Sequence, residues 1–294
     1  MQKIKIFTDS CADLGDDIRK KFDIDYFKMC TIDEGKEAPA DLGDEAAIRA
    51  IYNKIRQTGK RILTTQVPAA EFEARMRETL AQGYAILYVG CALPLSSSVN
   101  TGAMIADKLK AEYPDAVIRC VDATNCSLGE GMLAVYAATL RDQGYAIDDI
   151  VSSLEEQKHR INQFVTVGSL DMLKKAGRVK GSAAFFGNLL GVKPIIISDY
   201  NGQNVPIVKV KGRRASLDKL VELTKQAVID PAEQTVYIAH ADCAQDAEYL
   251  REELIAKVGF KDAYTYYIGP IVGVCIGPDA IGVWCVGKKV ETAV

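Results

Sequence analysis

Residues 85–102 read AILYVGCALPLSSSVNTG: a run of β-forming residues, Ala85 to Gly90, breaks into a loop crowded with hydroxyl and small residues, and a helix-like segment follows. The same order of events occurs at three other places in the first 130 residues. Thr8-Asp9-Ser10 follows Lys3 to Phe7, Thr64-Thr65-Gln66 follows Arg61 to Leu63, and Asp122 with Thr124-Asn125-Cys126-Ser127 follows Val117 to Val121. Strand, loop and helix in alternation predict a parallel sheet whose carboxyl-end loops converge on a crevice. If the four loops share that sheet, they line one site with many hydrogen-bond donors and little catalytic machinery. A group that accepts hydrogen bonds without being attacked, such as a carboxylate or phosphate, fits it. Taken singly, each loop reads first as a helix cap. Capping uses the acceptor oxygen and leaves the hydroxyl proton free to donate, so the four together favour a site.

The chain has 294 residues, more than one domain usually holds, so two α/β domains are expected. A hydrophobic content of 48% with 26% charged residues describes a globular protein with a substantial core. With 36 basic against 39 acidic residues, the net charge of -3 gives no reason to expect nucleic acid as a partner. The amino terminus enters the strand pattern Ile4, Ile6, Phe7 directly, without the segments of a signal peptide, and a cytoplasmic location is expected. The longest apolar run, Ala85 to Leu95, is well short of the ~20 residues of a membrane helix, so no stable membrane insertion is expected. The eight cysteines, at positions 11, 30, 91, 120, 126, 243, 275 and 285, are scattered without a C-x-x-C pair. That spacing predicts reduced, packed thiols and no metal site.

Strands are predicted near residues 3–8, 24–31, 61–65, 85–91 and 117–122, forming a parallel-sheet first domain over residues 1–146. Phe72, Met76 and Leu80 repeat at helical spacing behind Pro68 and read as core. Helices over 127–144 and 147–162, broken at Gly144, mark the boundary to a second domain over residues 147–294. There Phe164 to Val167, Lys193 to Ser198, Val205 to Val210, Thr235 to Ala239, Tyr264 to Ile268 and Gly282 to Val286 read as strands, with a helix over 215–228. Asn201-Gly202 is a hairpin signal, so this sheet is expected to be mixed.

Asp9 and Asp122, at strand ends, read as turn-stabilising carboxylates ahead of any role as base or metal ligand. Of the two histidines, His159 reads as a solvated helix residue and His240 as a buried, hydrogen-bonded one. No G-x-S-x-G elbow, Walker loop or G-x-G-x-x-G is present. Lys174 to Lys180 places four cations around Gly177; it is either a solvated face or a loop that meets an anion or a partner through Arg178. Gly269 to Pro278 is too rich in glycine for an ordinary helix, and its Cys275 either faces the site or packs in the core.

At these residues the chain resembles the DegV family of bacterial fatty-acid-binding proteins, from Thr8 to about Val286. The matches are Thr8-Asp9-Ser10 with Asp13-Leu14, Thr64-Thr65-Gln66, Leu95-Ser96-Ser97, Leu173 with Lys175, Gly177 and Arg178, the run from Leu189 to Pro194, and Ile268-Gly269-Pro270 with Gly273, Gly277-Pro278 and Gly282. The resemblance implies a two-domain α/β DegV-like fold holding a long-chain fatty acid between a parallel-sheet and a mixed-sheet domain. It implies that Thr64, Thr65, Ser96, Ser97, Asn100 and Cys275 meet the acid. It also implies that Arg178 faces a separate fatty-acid kinase, to which the protein presents the carboxylate for acyl-phosphate formation. On this reading the chain is a carrier, a monomer without cofactor or metal, and not itself an enzyme. Two positions depart from the family pattern: Asn100-Thr101-Gly102 stands where Ser-Gly-Thr is common, and Cys275-Ile276 where His-Thr is common. A phosphotransferase- or kinase-related subunit and a lipid-sensing regulatory protein remain the alternatives.

Overall fold

The computed structural model describes residues 2–181 and 191–292; Leu189 and Leu190, which carry part of the resemblance, lie outside the described residues. The strands are β1 (Ile4–Asp9), β2 (Ile24–Phe27), β3 (Cys30–Asp33), β4 (Lys36–Pro39), β5 (Leu63–Thr65), β6 (Ala85–Gly90), β7 (Ile118–Asp122), β8 (Ile161–Thr166), β9 (Val192–Ser198), β10 (Asn204–Lys211), β11 (Thr235–His240), β12 (Asp262–Tyr267) and β13 (Ile281–Val286). The helices are α1 (Asp16–Lys21), α2 (Glu45–Thr58), α3 (Ala69–Ala81), α4 (Ser98–Glu112), α5 (Leu128–Asp142), α6 (Ile147–Gln157), α7 (Leu170–Ala176), α8 (Arg213–Ala227), α9 (Ala244–Glu253) and α10 (Pro270–Ile276).

The parallel sheet has the order β2-β1-β6-β7, with Ile6 opposite both Ile24 and Leu87. All six residues of β6 are buried, as a central parallel strand requires, and this explains its unbroken apolar run. One face packs Phe7, Phe27 and Tyr88 against Phe72 and Met76 of α3. The other face sends Ile6, Leu87 and Val89 against α5 and α6. The mixed sheet has the order β10-β9-β8-β13-β11-β12, antiparallel except for the β11–β12 pair. Its Phe164, Ile195, Ile238 and Val283 cover α8 and α9, while Val165, Ile196 and Trp284 face the parallel-sheet half. Between the sheets lies α5, buried continuously from Leu128 to Ala134. Its small residues let the layers close; a Cβ at Gly131 would stand 2.6 Å from Leu14.

Several expectations need correction. The strand expected over 24–31 is two strands in different sheets, because Ala40 N–H bonds Met29 and pulls β3 away from β2. The strand near 61–65 is not in the parallel sheet; β5 pairs antiparallel with β3 in a small sheet of order β4-β3-β5. The helix expected over 147–162 stops at Gln157, and Ile161 and Asn162 pair with Val286 and Cys285 in the mixed sheet. Residues 270–276 form a helix despite Gly273 within it and a glycine at each cap. Pro270 starts it where no N–H is needed, and Gly273 fits where a Cβ would lie 2.3 Å from the Tyr52 hydroxyl. His159 lies in a single 3-10 turn, half-buried and stacked on Tyr200 at 3.9 Å between centroids, and is not a freely solvated residue of a long helix. The hairpin forms as expected, with Gly202 at φ +77° close against Ala92. No helix among the described residues is long and apolar enough to cross a membrane.

His240 ends β11 at 4% exposure, and its Nδ1 accepts the Cys243 N–H at 3.3 Å. Burial pushes its pKa down to about 4. A histidine held neutral in this way binds a proton more readily unfolded, at about 6.5, so it stabilises the fold above that pH and the stabilisation is lost as pH falls toward 4. The expected loss through this residue is about 2 kcal/mol between pH 7 and pH 5. His240→Asn, which keeps an acceptor near the Nδ1 position, should shrink the pH 7 to pH 5 difference in urea-unfolding free energy by about that amount. An unchanged difference would remove His240 as its source.

Candidate functional site

A cavity of about 410 Å³ lies between the carboxyl end of the parallel sheet and the facing side of the mixed sheet. That size is within the range of about 300–1,000 Å³ typical of small-molecule sites. The parallel-sheet loops contribute Cys11, Cys91, Cys126 and Ser127, and β5 with the residue after it contributes Thr64, Thr65 and Gln66. The opposite wall is built by Gln163 and Val165 of β8, Ile196 of β9 and Trp284 of β13. Register explains why these four share a face: Val165 lies opposite both Ile196 and Gly282, and Gln163 opposite Trp284. A Cβ at Gly282 would stand 2.5 Å from the Trp284 ring and 2.7 Å from Val165, so the bare glycine makes room for the indole. Ile271, Val272 and Cys275 of α10 close one side, and Gly177 and Arg178 after α7 another.

The polar groups of the mixed-sheet wall are engaged with one another. Trp284 Nε1 donates to Gln163 Oε1 and Asn125 Oδ1, both at 3.3 Å. Gln163 Nε2 donates to Asn204 Oδ1 at 3.0 Å, and Asn204 Nδ2 to the Arg178 carbonyl at 3.2 Å. A wall whose hydrogen bonds close on themselves does not need a polar ligand, and Val165, Ile196 and Ile271 supply an apolar one.

The rim is different. Gln66 Nε2 donates to Thr101 Oγ1 at 2.9 Å and the Val67 N–H to Ser98 Oγ at 3.1 Å, which ties the end of β5 to the first turn of α4. Ser96 and Ser98 share a hydroxyl bond at 3.0 Å. Ser97, at the N-cap of α4, makes no side-chain cap bond, and its hydroxyl has no partner among the described residues. It therefore stands free at a helix amino end, where the backbone field favours an anion. Thr64 Oγ1 is 3.9 Å from Cys275 Sγ, and Thr65 Oγ1 donates to Glu37 at 3.2 Å. Burial raises the Cys275 pKa, so the thiol facing the cavity is neutral. Arg178 donates through Nε to the Leu95 carbonyl at 3.4 Å and through Nη1 to Ala176, and it pairs with no carboxylate among the described residues.

Of the residues singled out from sequence, Thr64, Thr65, Ser96, Ser97, Cys275 and Arg178 line this one cavity. Asn100 does not; it is exposed in the first turn of α4. The Thr8-Asp9-Ser10 loop turns its polar groups inward: Thr8 bonds Glu130 and Ser10 bonds the Ala40 carbonyl, leaving Cys11 to reach the cavity. Asp122 holds the Thr124 N–H at 2.8 Å, the turn role expected of it. Gln163 and Trp284 were not singled out by sequence; the signal for Gln163 was an Asn162-Gln163 amide pair within a fully buried strand, β8.

The DegV family, described as "Uncharacterised protein, DegV family", matches residues 3–288. A DegV domain-containing protein of Clostridium perfringens is 38% identical over 292 residues, covering 99% of this chain and all of that one. Among solved structures, the Bacillus subtilis DegV, described as a fatty acid binding protein, is 25% identical with a TM-score of 0.83, covering 97% of this chain and 100% of that one. A stearic acid-binding protein of Eubacterium ventriosum shares the fold at 22% identity and a TM-score of 0.87, over 97% of this chain and 98% of that one. The chain belongs to the DegV family.

Proposed function

We propose that this protein is a cytoplasmic, monomeric carrier of one long-chain fatty acid, held between the domains expected at residues 1–146 and 147–294. The acyl tail occupies the cavity, the carboxylate lies at the rim beside Thr64, Thr65, Ser96 and Ser97, and Cys275 packs beside it. The protein presents this carboxylate to a separate fatty-acid kinase and does no chemistry of its own. The observation that carries the reading is the contrast within one cavity between a self-satisfied, largely apolar wall and a rim with an uncommitted hydroxyl and an arginine lacking a carboxylate. Fatty-acid binding by the Bacillus subtilis and Eubacterium ventriosum relatives supports the same ligand class.

Magnitudes assign the roles. At ~0.8 kcal/mol per buried CH₂, a sixteen-carbon tail offers roughly 11 kcal/mol before ordering costs, against ~1 kcal/mol net for each neutral head-group hydrogen bond. The tail sets affinity and the rim sets orientation. Ser97→Ala and Thr64→Val, assayed on delipidated protein, should each weaken acid binding by roughly 1 kcal/mol, about fivefold. Unchanged affinity in both would move the carboxylate elsewhere.

Arg178 sits at the rim with its guanidinium fork exposed, suited to a carboxylate or phosphate brought by the kinase. Arg178→Ala should depress acyl-phosphate formation by a matching kinase at least tenfold while weakening lipid binding only severalfold. Full support of the kinase by the variant would take Arg178 out of the partner contact.

A further inference from the structure

Cys11, Cys91 and Glu130 are remote in sequence and have no ligand-like spacing, yet β1, β6 and α5 bring them together beside the cavity. The two sulfurs are 3.3 Å apart, and both lie within 4.8 Å of a Glu130 carboxylate oxygen. All three side chains are buried, and the two cysteines form part of the cavity wall. Around a tetrahedral ion with metal–sulfur bonds of ~2.3 Å and metal–oxygen bonds of ~2.1 Å, donor atoms stand roughly 3.5–4 Å apart, close to this arrangement.

Glu130 supplies an independent sign of a missing partner. Its Oε1 accepts the Thr8 hydroxyl at 2.6 Å and the Asp9 N–H at 3.4 Å. Its Oε2 is buried with no hydrogen-bond partner among the described residues. A buried carboxyl oxygen left in this state needs a proton or a cation to meet it, and burial raises the Glu130 pKa well above the ordinary carboxylate range. The surroundings also hold the donors in place: Asp9 accepts the Cys11 N–H at 2.9 Å, the Cys91 N–H at 3.4 Å and the Tyr88 hydroxyl at 2.6 Å. One carboxylate thus fixes the backbone of both cysteines, while Thr8 fixes Glu130, as outer groups do around metal ligands.

We propose that Cys11, Cys91 and Glu130 bind one soft divalent cation of the zinc class, with its fourth position open to the cavity. Paired sulfurs select zinc over magnesium or calcium, which prefer all-oxygen sites. Binding is a proton exchange and not a redox step: the ion takes two thiolates and the Glu130 carboxylate, and the two thiol protons leave to solvent together with the proton of the buried Glu130 carboxyl. The fourth ligand is a water or an oxygen donor reaching the ion through the cavity.

The full chain, reduced and stripped with chelator, is titrated with Co²⁺ as a spectroscopic substitute for zinc. The expected result is one ion per chain, a thiolate-to-cobalt charge-transfer band, and loss of that band on adding Zn²⁺. Cys11→Ser and Cys91→Ser should abolish the band, Glu130→Gln should weaken binding about tenfold or more, and Cys285→Ser should change nothing. Zinc-edge X-ray absorption of the unaltered protein with one equivalent of Zn²⁺ should show two sulfur neighbours, which keeps the test independent of how the variants fold. Absence of stoichiometric binding, a coordination shell without sulfur, or a band that survives both serine variants would overturn the site.

Discussion

Val165→Trp should abolish binding of a long-chain acid while leaving the protein folded. Val165 projects from β8 into the cavity wall beside Ile196, in a space of about 410 Å³. An indole there takes the room of several methylenes. Excluding six of them removes roughly 5 kcal/mol at ~0.8 kcal/mol each, more than a thousandfold in affinity. Val165 lines the cavity while packing in the core, so the folding cost should stay near the ~1–3 kcal/mol of ordinary overpacking. Displacement of a fluorescent acid from delipidated protein, with a melting curve beside it, gives both readings. Near-normal affinity in a folded variant would place the tail outside this cavity.

Asp9→Ala should be among the most damaging single changes to the fold, costing about 3–5 kcal/mol in urea unfolding. Asp9 is fully buried, and removing it strands the Tyr88 hydroxyl and two backbone N–H groups at the junction of β1 and β6. Each buried donor left without a partner costs about 1–3 kcal/mol, relieved in part by relaxation. Burial also raises the Asp9 pKa, so the charge itself is not what stabilises the site. Asp9→Asn, which retains an acceptor, should therefore cost clearly less than Asp9→Ala. A loss below about 1 kcal/mol for the alanine variant would contradict this account of the junction.

The parallel sheet was legible because β6 is buried on both faces and its apolar run leaves no other reading. The place of β5 was not, since its three residues pair with β3 across more than thirty residues of chain and carry no local period. The helix over 270–276 was not legible for a related reason: glycine lowers helix propensity, and only the Tyr52 hydroxyl against Gly273 shows why a bare position is needed there. Within the cavity, Ser96, Ser97 and Arg178 were legible because they sit in loops of unusual composition. Gln163 and Trp284 sit in strands, where a face is assigned only once register is known. The thiol pair was hidden by the same limit, because neighbouring ends of β1 and β6 put Cys11 beside Cys91 without any motif in the chain.

The central claim, a long-chain fatty acid held in the cavity between the sheets, is tested most directly by lipid mass spectrometry on a denaturing extract of the purified protein, followed by rebinding to the delipidated chain. The account predicts one long-chain fatty acid per chain, or stoichiometric rebinding where purification has removed it. Absence of any fatty acid from the extract together with no binding by the folded, delipidated protein would contradict it.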